Sequence, residues 1–202
     1  MPVESFGVIK SIVIPDSFRR GEILYGGMGR NWRRSFHPRE KRDAEEVSIT
    51  SFYRGGAAAG SDSQILRELL ARAPRQIFSS MESDKHPCPP QTQYLLSKMA
   101  DILGNIGNNQ FTNSETGIGG PRFRMEHMET IILNSRAVLS VCGVFHNSQL
   151  QPQNYYWGIF VDARPEGKDC LIEELVFEAE TKTLYEKYRP AFQKSLTSIH
   201  WL

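Results

Sequence analysis

Between Arg122 and Glu180 the chain takes up a period of two and keeps it through four successive runs, Arg122–Leu133, Arg136–Phe145, Tyr155–Ala163 and Leu171–Glu180. Successive side chains of a strand point to opposite faces, so this alternation marks strands rather than helices. The connections agree. Asn134-Ser135 suits a two-residue hairpin turn, HNSQLQPQN is a polar loop, and Arg164 to Asp169 carries Pro165 and Gly167. Four consecutive antiparallel strands are expected. In the second run Leu139, Val141 and Phe145 should face the core. In the last, Leu171, Leu175, Phe177 and Ala179 oppose Glu174, Glu178 and Glu180, which predicts one covered face and one wet face.

Around this meander the other signals are shorter. Val8 to Ile14 reads as a strand ending at Pro15-Asp16, and Val47 to Tyr53 as another, closed by Gly55, Gly56 and Gly60. SDSQILRELLARA places Ile65, Leu66, Leu69 and Leu70 on one side of a helix. KHPCPPQ, residues 85–91, reads as a loop. A second helix should follow from about Thr92, with Leu95, Leu96, Met99, Ile102, Leu103 and Ile106 at helical spacing. Residues 108–121 read as a polar, glycine-rich surface loop. A terminal helix carries Leu184, Tyr185, Tyr188, Phe192, Leu196 and Ile199, with Thr183 and Glu186 at capping-box spacing and Pro190 expected to kink or restart it. The fold class this predicts is α+β, an antiparallel sheet meander with helices packed on it, in one domain spanning residues 1–202.

Charge excludes some classes of function. With 24 basic and 23 acidic residues the chain carries a formal charge of +1, so any basic partner site must be local. Three widely spaced cysteines, Cys88, Cys142 and Cys170, form neither a disulfide framework nor a C-x-x-C zinc pattern. The N-terminal residues lack the basic and apolar regions of a leader, and no run of about 18 apolar residues occurs. A cytoplasmic protein with no membrane span is the expectation.

The order METIILNSRAVLSVCGVF, YYWGIFVDA, CLIEELVFEAE and LYEKYRPAFQKSLTSIHW resembles the superfamily of PsbP-like and DcrB-like α/β/α sandwiches. In that group antiparallel strands precede a C-terminal helix closed by a small residue, an aliphatic and often a tryptophan, matched here by Ser198, Ile199 and Trp201. The resemblance implies a non-enzymatic scaffold of adaptor, immunity or chaperone type, linked to a bacterial secretion or envelope system. It transfers no active site.

Chemistry-bearing residues are few. VLSVCGVFHNSQ sets Cys142 four residues before His146, but four strand residues span roughly 13 Å. A nucleophile and its base must approach to about 3 Å. Only a bulge at Gly143 or a different histidine would rescue a dyad. Cys88 and His86 share the proline-rich loop without a third group to orient them. The five histidines show no ligand spacing, and the glycine clusters at 26–30, 55–60 and 117–120 match no phosphate-binding motif. No catalytic residue, cofactor or metal is therefore assigned.

The strongest local electrostatic feature is RNWRRSFHPREKR, residues 30–42, where Arg30, Arg33 and Arg34 interleave with Trp32 and Phe36. As a strand it puts Trp32, Arg34 and Phe36 on one face and Arg33 and Ser35 on the other. Asp43, Glu45 and Glu46 next door would neutralise part of it, which argues against nucleic acid. In the aromatic run Tyr155, Tyr156 and Trp157, alternation should set Tyr156 apart from the other two. Arginine and aromatic side chains are enriched in binding hot spots. Arg30, Trp32, Arg33, Arg34, Phe36 and Tyr156 are accordingly the expected contacts to another protein with an acidic surface. Two rival expectations are a cysteine-dependent hydrolase or transferase and single-stranded nucleic-acid binding through residues 30–42.

Overall fold

The structure, a computed structural model, describes residues 3–25, 32–39, 47–58, 61–79, 122–146, 149 and 151–202. Along the chain lie strands β1 (Val3–Phe6), β2 (Ile9–Val13), β3 (Phe18–Tyr25), β4 (Trp32–Pro38) and β5 (Val47–Ala58), then helix α1 (Ser61–Ala71) and β6 (Arg75–Ser79). After them come β7 (Arg122–Leu133), β8 (Arg136–His146), β9 (Pro152–Asp162), β10 (Cys170–Ala179), helix α2 (Lys182–Thr197) and β11 (His200–Trp201). The expected helix from Thr92 and the loops at 85–91 and 108–121 lie outside the described residues.

The meander forms as the sequence predicts. β7, β8, β9 and β10 are neighbours in an eight-stranded sheet of order β3-β4-β5-β10-β9-β8-β7-β6, each pair antiparallel. Its first turn is the two-residue hairpin, with Asn134 at φ 45° and Ser135 at φ 68°. Positive φ at both central residues matches the right-handed twist of the flanking strands. A second sheet, β1-β2-β11, joins residues from the two ends of the sequence.

The fold class needs correction. Two sheets account for most of the described chain, against helices of 11 and 16 residues, so the molecule is mainly antiparallel β rather than an α+β sandwich with helices packed on a sheet. The reason is non-local pairing. Phe18–Tyr25, in a stretch without clear alternation, becomes a strand because β4 offers it a backbone partner. Arg75–Ser79 does the same beside β7, and His200–Trp201 beside β2. β5 runs on through Gly55 and Gly56 to Ala58, with a register irregularity opposite Leu171 and Glu173 of β10.

β10 is the shared wall of two cores. Leu175, Phe177 and Ala179 enter a cluster with Phe192 and Leu196 of α2 and with Phe6, Ile9 and Ile12 of the small sheet. Ile172 and Val176 enter a second cluster with Leu66 and Leu69 of α1, Leu139, Val141 and Phe145. The placement of Leu139, Val141 and Phe145 in the core agrees with the sequence. The wet face expected for this strand is present only at its end: Glu180 is exposed and Glu178 half-buried, but Glu174 is only 2% exposed. Its Oε1 accepts a hydrogen bond from the Tyr156 hydroxyl at 2.5 Å, which makes burial of the carboxyl tolerable.

Two of the polar contacts that dock the small sheet are made by backbone N–H groups of its strands and turn. Glu173 of β10, also buried, accepts the Val8 N–H at 2.8 Å, and Ser198 Oγ accepts the Val13 N–H at 2.8 Å. The turn between β1 and β2 brings Gly7 to φ +54°, and the Glu173 carboxylate fills the space a Cβ at Gly7 would need. Desolvation raises the Glu173 pKa, with the Val8 N–H and Arg136 opposing it.

α2 is capped by Thr181, whose side chain accepts from the Leu184 N–H, and not by the Thr183 box the sequence suggests. The helix is continuous past Pro190, which sits on its exposed side. Asn134 in the first hairpin turn donates through Nδ2 to the carbonyls of Ile199 and Thr197, tying that turn to the chain beyond α2.

Candidate functional site

Two places gather the residues singled out by the sequence. The first is the ribbon β3–β4. Arg30 lies outside the described residues, as do 40–46 with the acidic cluster. β4 places Trp32 opposite Tyr25 and Tyr53, and Arg33 opposite Leu24 and Phe52, so both belong to an interior strand of the large sheet. Arg34, 21% exposed, sends Nη1 to within 3.2 Å of Glu4 Oε2 and donates to the Ser5 carbonyl. Arg20 on β3 pairs with the same carboxylate, through Nε at 3.2 Å from Oε1 and through Nη2. Glu4 is buried, and two guanidiniums bracket it, which makes the pairing a joint between the two sheets. Among the ribbon residues whose side chains are described, the exposed cations are Arg19, Arg20 and Arg39.

Two expected contact residues are corrected by burial. Phe36 is 1% exposed and packs in the first core, its ring 6.4 Å from that of Phe6. Tyr156 does sit on the opposite face from Trp157, but it is fully buried, edge-on to Phe123 and Phe145. Neither ring can touch a partner. Both are aromatic because the cores need large side chains there.

The second place is the surface beside α2, around Cys142. His146, at the end of β8, turns its Nδ1 to the Val144 carbonyl at 3.1 Å, and β8 is unbroken between Cys142 and Gly143, so the local dyad does not form. A different histidine comes close. The hairpin register sets His127 of β7 directly opposite Cys142, and His127 Nε2 is 3.4 Å from Glu129 Oε2. Paired residues of antiparallel strands share a face with Cβ atoms about 5 Å apart. The register thus puts the thiol and the imidazole on one face of the hairpin, with the Glu129 carboxylate beside the imidazole. The signal was countable: stepping outward from Asn134-Ser135 pairs Leu133 with Arg136 and, six steps on, His127 with Cys142.

The electrostatics oppose catalysis by this thiol. Burial pushes Cys142 up to about 12, with Glu129 and Glu126 adding to the rise and Arg189 and Tyr185 opposing it. Tyr185 is itself raised by burial and by Cys142. Arg189, whose charge would favour a thiolate, lies 5.3 Å over the Trp157 ring. A nucleophilic cysteine needs a depressed pKa, and this one is held protonated.

Cys170 is no better placed. It is fully buried, its N–H donates to Ser63 Oγ at 3.1 Å, and desolvation with Asp162 raises the thiol to about 11. The same corner is closed by Arg67 of α1, which donates to Asp162 Oδ2 at 3.0 Å and to the carbonyls of Gly167 and Arg164. Asp162 Oδ1 accepts from the N–H groups of Arg164 and Leu171. Arg67 therefore latches α1 onto the β9–β10 turn. Cys88 and His86 lie outside the described residues.

With Cys88→Ser removing the third thiol, Cys142 and Cys170 should react with a neutral-pH thiol reagent at least about 100-fold more slowly than free cysteine, and at full rate once unfolded. Rapid labelling of one of them in the native protein would restore the enzyme reading.

Among the described residues no three His, Cys, Asp or Glu side chains gather as metal ligands, and no helix is long and apolar enough to cross a membrane. No protein-family model matches the chain, and no curated protein is significantly similar to it.

Proposed function

We propose that this protein is a non-catalytic protein-binding module that engages an acidic partner through the β3–β4 ribbon. The observation that carries the reading is charge segregation. β3, β4 and the residue after them hold five arginines, Arg19, Arg20, Arg33, Arg34 and Arg39, against one carboxylate, Glu22, in a chain whose formal charge as a whole is only +1; Glu4 of the small sheet takes up Arg20 and Arg34. A local patch of one sign steers and selects a partner of the other. The high thiol pKa values support a binding role over a cysteine-dependent one. The sequence resemblance to PsbP-like and DcrB-like scaffolds suggests the setting, an adaptor, immunity or chaperone-like part of a bacterial secretion or envelope system, although the α/β/α layering it implies is not the architecture of this chain.

The test is co-purification of native partners on wild-type protein and on an Arg19→Glu, Arg39→Glu variant of unchanged melting temperature. A specific protein retained by the first and weakened at least tenfold on the second is the expected result. Recovery of nucleic acid with a steep salt dependence, or of no specific protein, would overturn the reading.

A further inference from the structure

We infer that the partner adds a strand to the sheet: the outer edge of β3 receives an extended, acid-bearing segment of another protein. This rests on the ribbon being the binding surface and specifies how the surface is used. β3 ends the eight-stranded sheet on its side and, among the described residues, pairs with β4 alone. In an antiparallel pair alternate residues turn their N–H and C=O groups away from the partner, so about four of the eight residues of β3 present both outward. Such an edge is a template for another chain.

Three features decide which chain. The first is length. β3 has eight residues, whereas the opposite edge strand, β6, has five. The second is the sign of the flanking charge. Arg19 is exposed on β3 and Arg39 follows β4, while Arg20 beside them is already shared with Glu4. A second copy of β3 laid alongside would bring arginine against arginine, which destabilises a cross-strand pair, while an acidic strand brings carboxylate against guanidinium. The third is the irregularity between Arg20 and Ile23, which interrupts the ladder and shortens any uniform stack of copies. Positive charge and a bulge together protect the edge from indiscriminate pairing and leave it open to one chemistry. Main-chain hydrogen bonds would supply affinity, and the alternate carboxylates would supply choice.

The experiment uses the full chain and two fluorescent ten-residue peptides. One alternates glutamate with valine and threonine; the other has the same acidic residues with proline at every third position, so that it cannot pair along a strand. Fluorescence anisotropy should show the alternating peptide binding at least tenfold tighter, and Arg19→Glu should weaken it at least fivefold. Hydrogen exchange should slow at backbone amides within residues 18–25 on binding. Equal binding of both peptides, with no slowing in β3, overturns strand addition and leaves the acidic-partner reading in place. Binding of neither peptide, together with no native protein partner, overturns both. Tighter binding of oligothymidylate than of either peptide overturns both in favour of nucleic acid. Concentration-dependent dimers with β3 already protected would assign the edge to a second copy and overturn the inference.

Discussion

Replacing Phe192 with alanine should lower the free energy of unfolding by about 4 kcal/mol, read as a shift of the urea midpoint at unchanged slope. Phe192 is fully buried at the centre of α2. Its ring stacks on Phe177 of β10 at 5.4 Å and meets Trp157 of β9 edge-on at 5.2 Å. Trp157 is held in place by its Nε1–H, which donates to Ser140 Oγ at 3.0 Å. The hole left by the ring would therefore be walled by side chains that cannot all collapse into it. Phe192→Leu keeps most of the volume and should cost less than about 1.5 kcal/mol. An alanine variant within 1 kcal/mol of wild type, on the same measurement, would mean that α2 contributes little to closing this face.

Gly7→Ala should cost about 3 kcal/mol although it adds a single methyl group. Two effects combine. An L-residue in the left-handed region costs roughly 1–2 kcal/mol, and Gly7 sits there at φ +54°. The methyl must also displace the Glu173 carboxylate, which leaves the Val8 N–H without its acceptor, at a further cost of about 1–3 kcal/mol. A double-mutant cycle with Glu173→Ala separates them. The steric part disappears when the carboxylate is already gone, so the two costs should fall short of additivity by about 1 kcal/mol or more. Strict additivity would show that Gly7 and Glu173 do not meet.

How much of this was legible in the sequence differs from element to element for physical reasons. Residues 122–180 were readable because each strand alternates and the first is followed by a turn whose residues accept positive φ. That local pattern even fixed the pairing of His127 with Cys142, by counting from the turn. β3, β6 and β11 were not readable, because a strand without strict alternation is defined by its neighbour, and the neighbour lies elsewhere in the sequence. The burial of Glu174 was hidden in the same way. A glutamate at an alternating position reads as solvent-facing until the Tyr156 hydroxyl appears on the adjacent strand. Of the proposed binding segment, its strand character and the arginine content of Arg33 and Arg34 were legible. The engagement of Arg34 by Glu4, thirty positions earlier, was not, since the joint is made between two sheets.

The position of β10 between β5 and β9 also sets a timetable. Its partner β9 is the preceding strand, but β5 belongs to the first part of the chain, where Ile49 waits for Phe177. During synthesis β3, β4 and β5 leave the ribosome before β10, and the flank of β5 that β10 will take is without that partner until β10 has been made. At about 5–20 residues per second that interval is on the order of ten seconds. For those seconds the nascent amino-terminal ribbon is without β10 on one flank, and arginines guard only the other. The vulnerable moment in the life of this protein is thus set by the pace of translation.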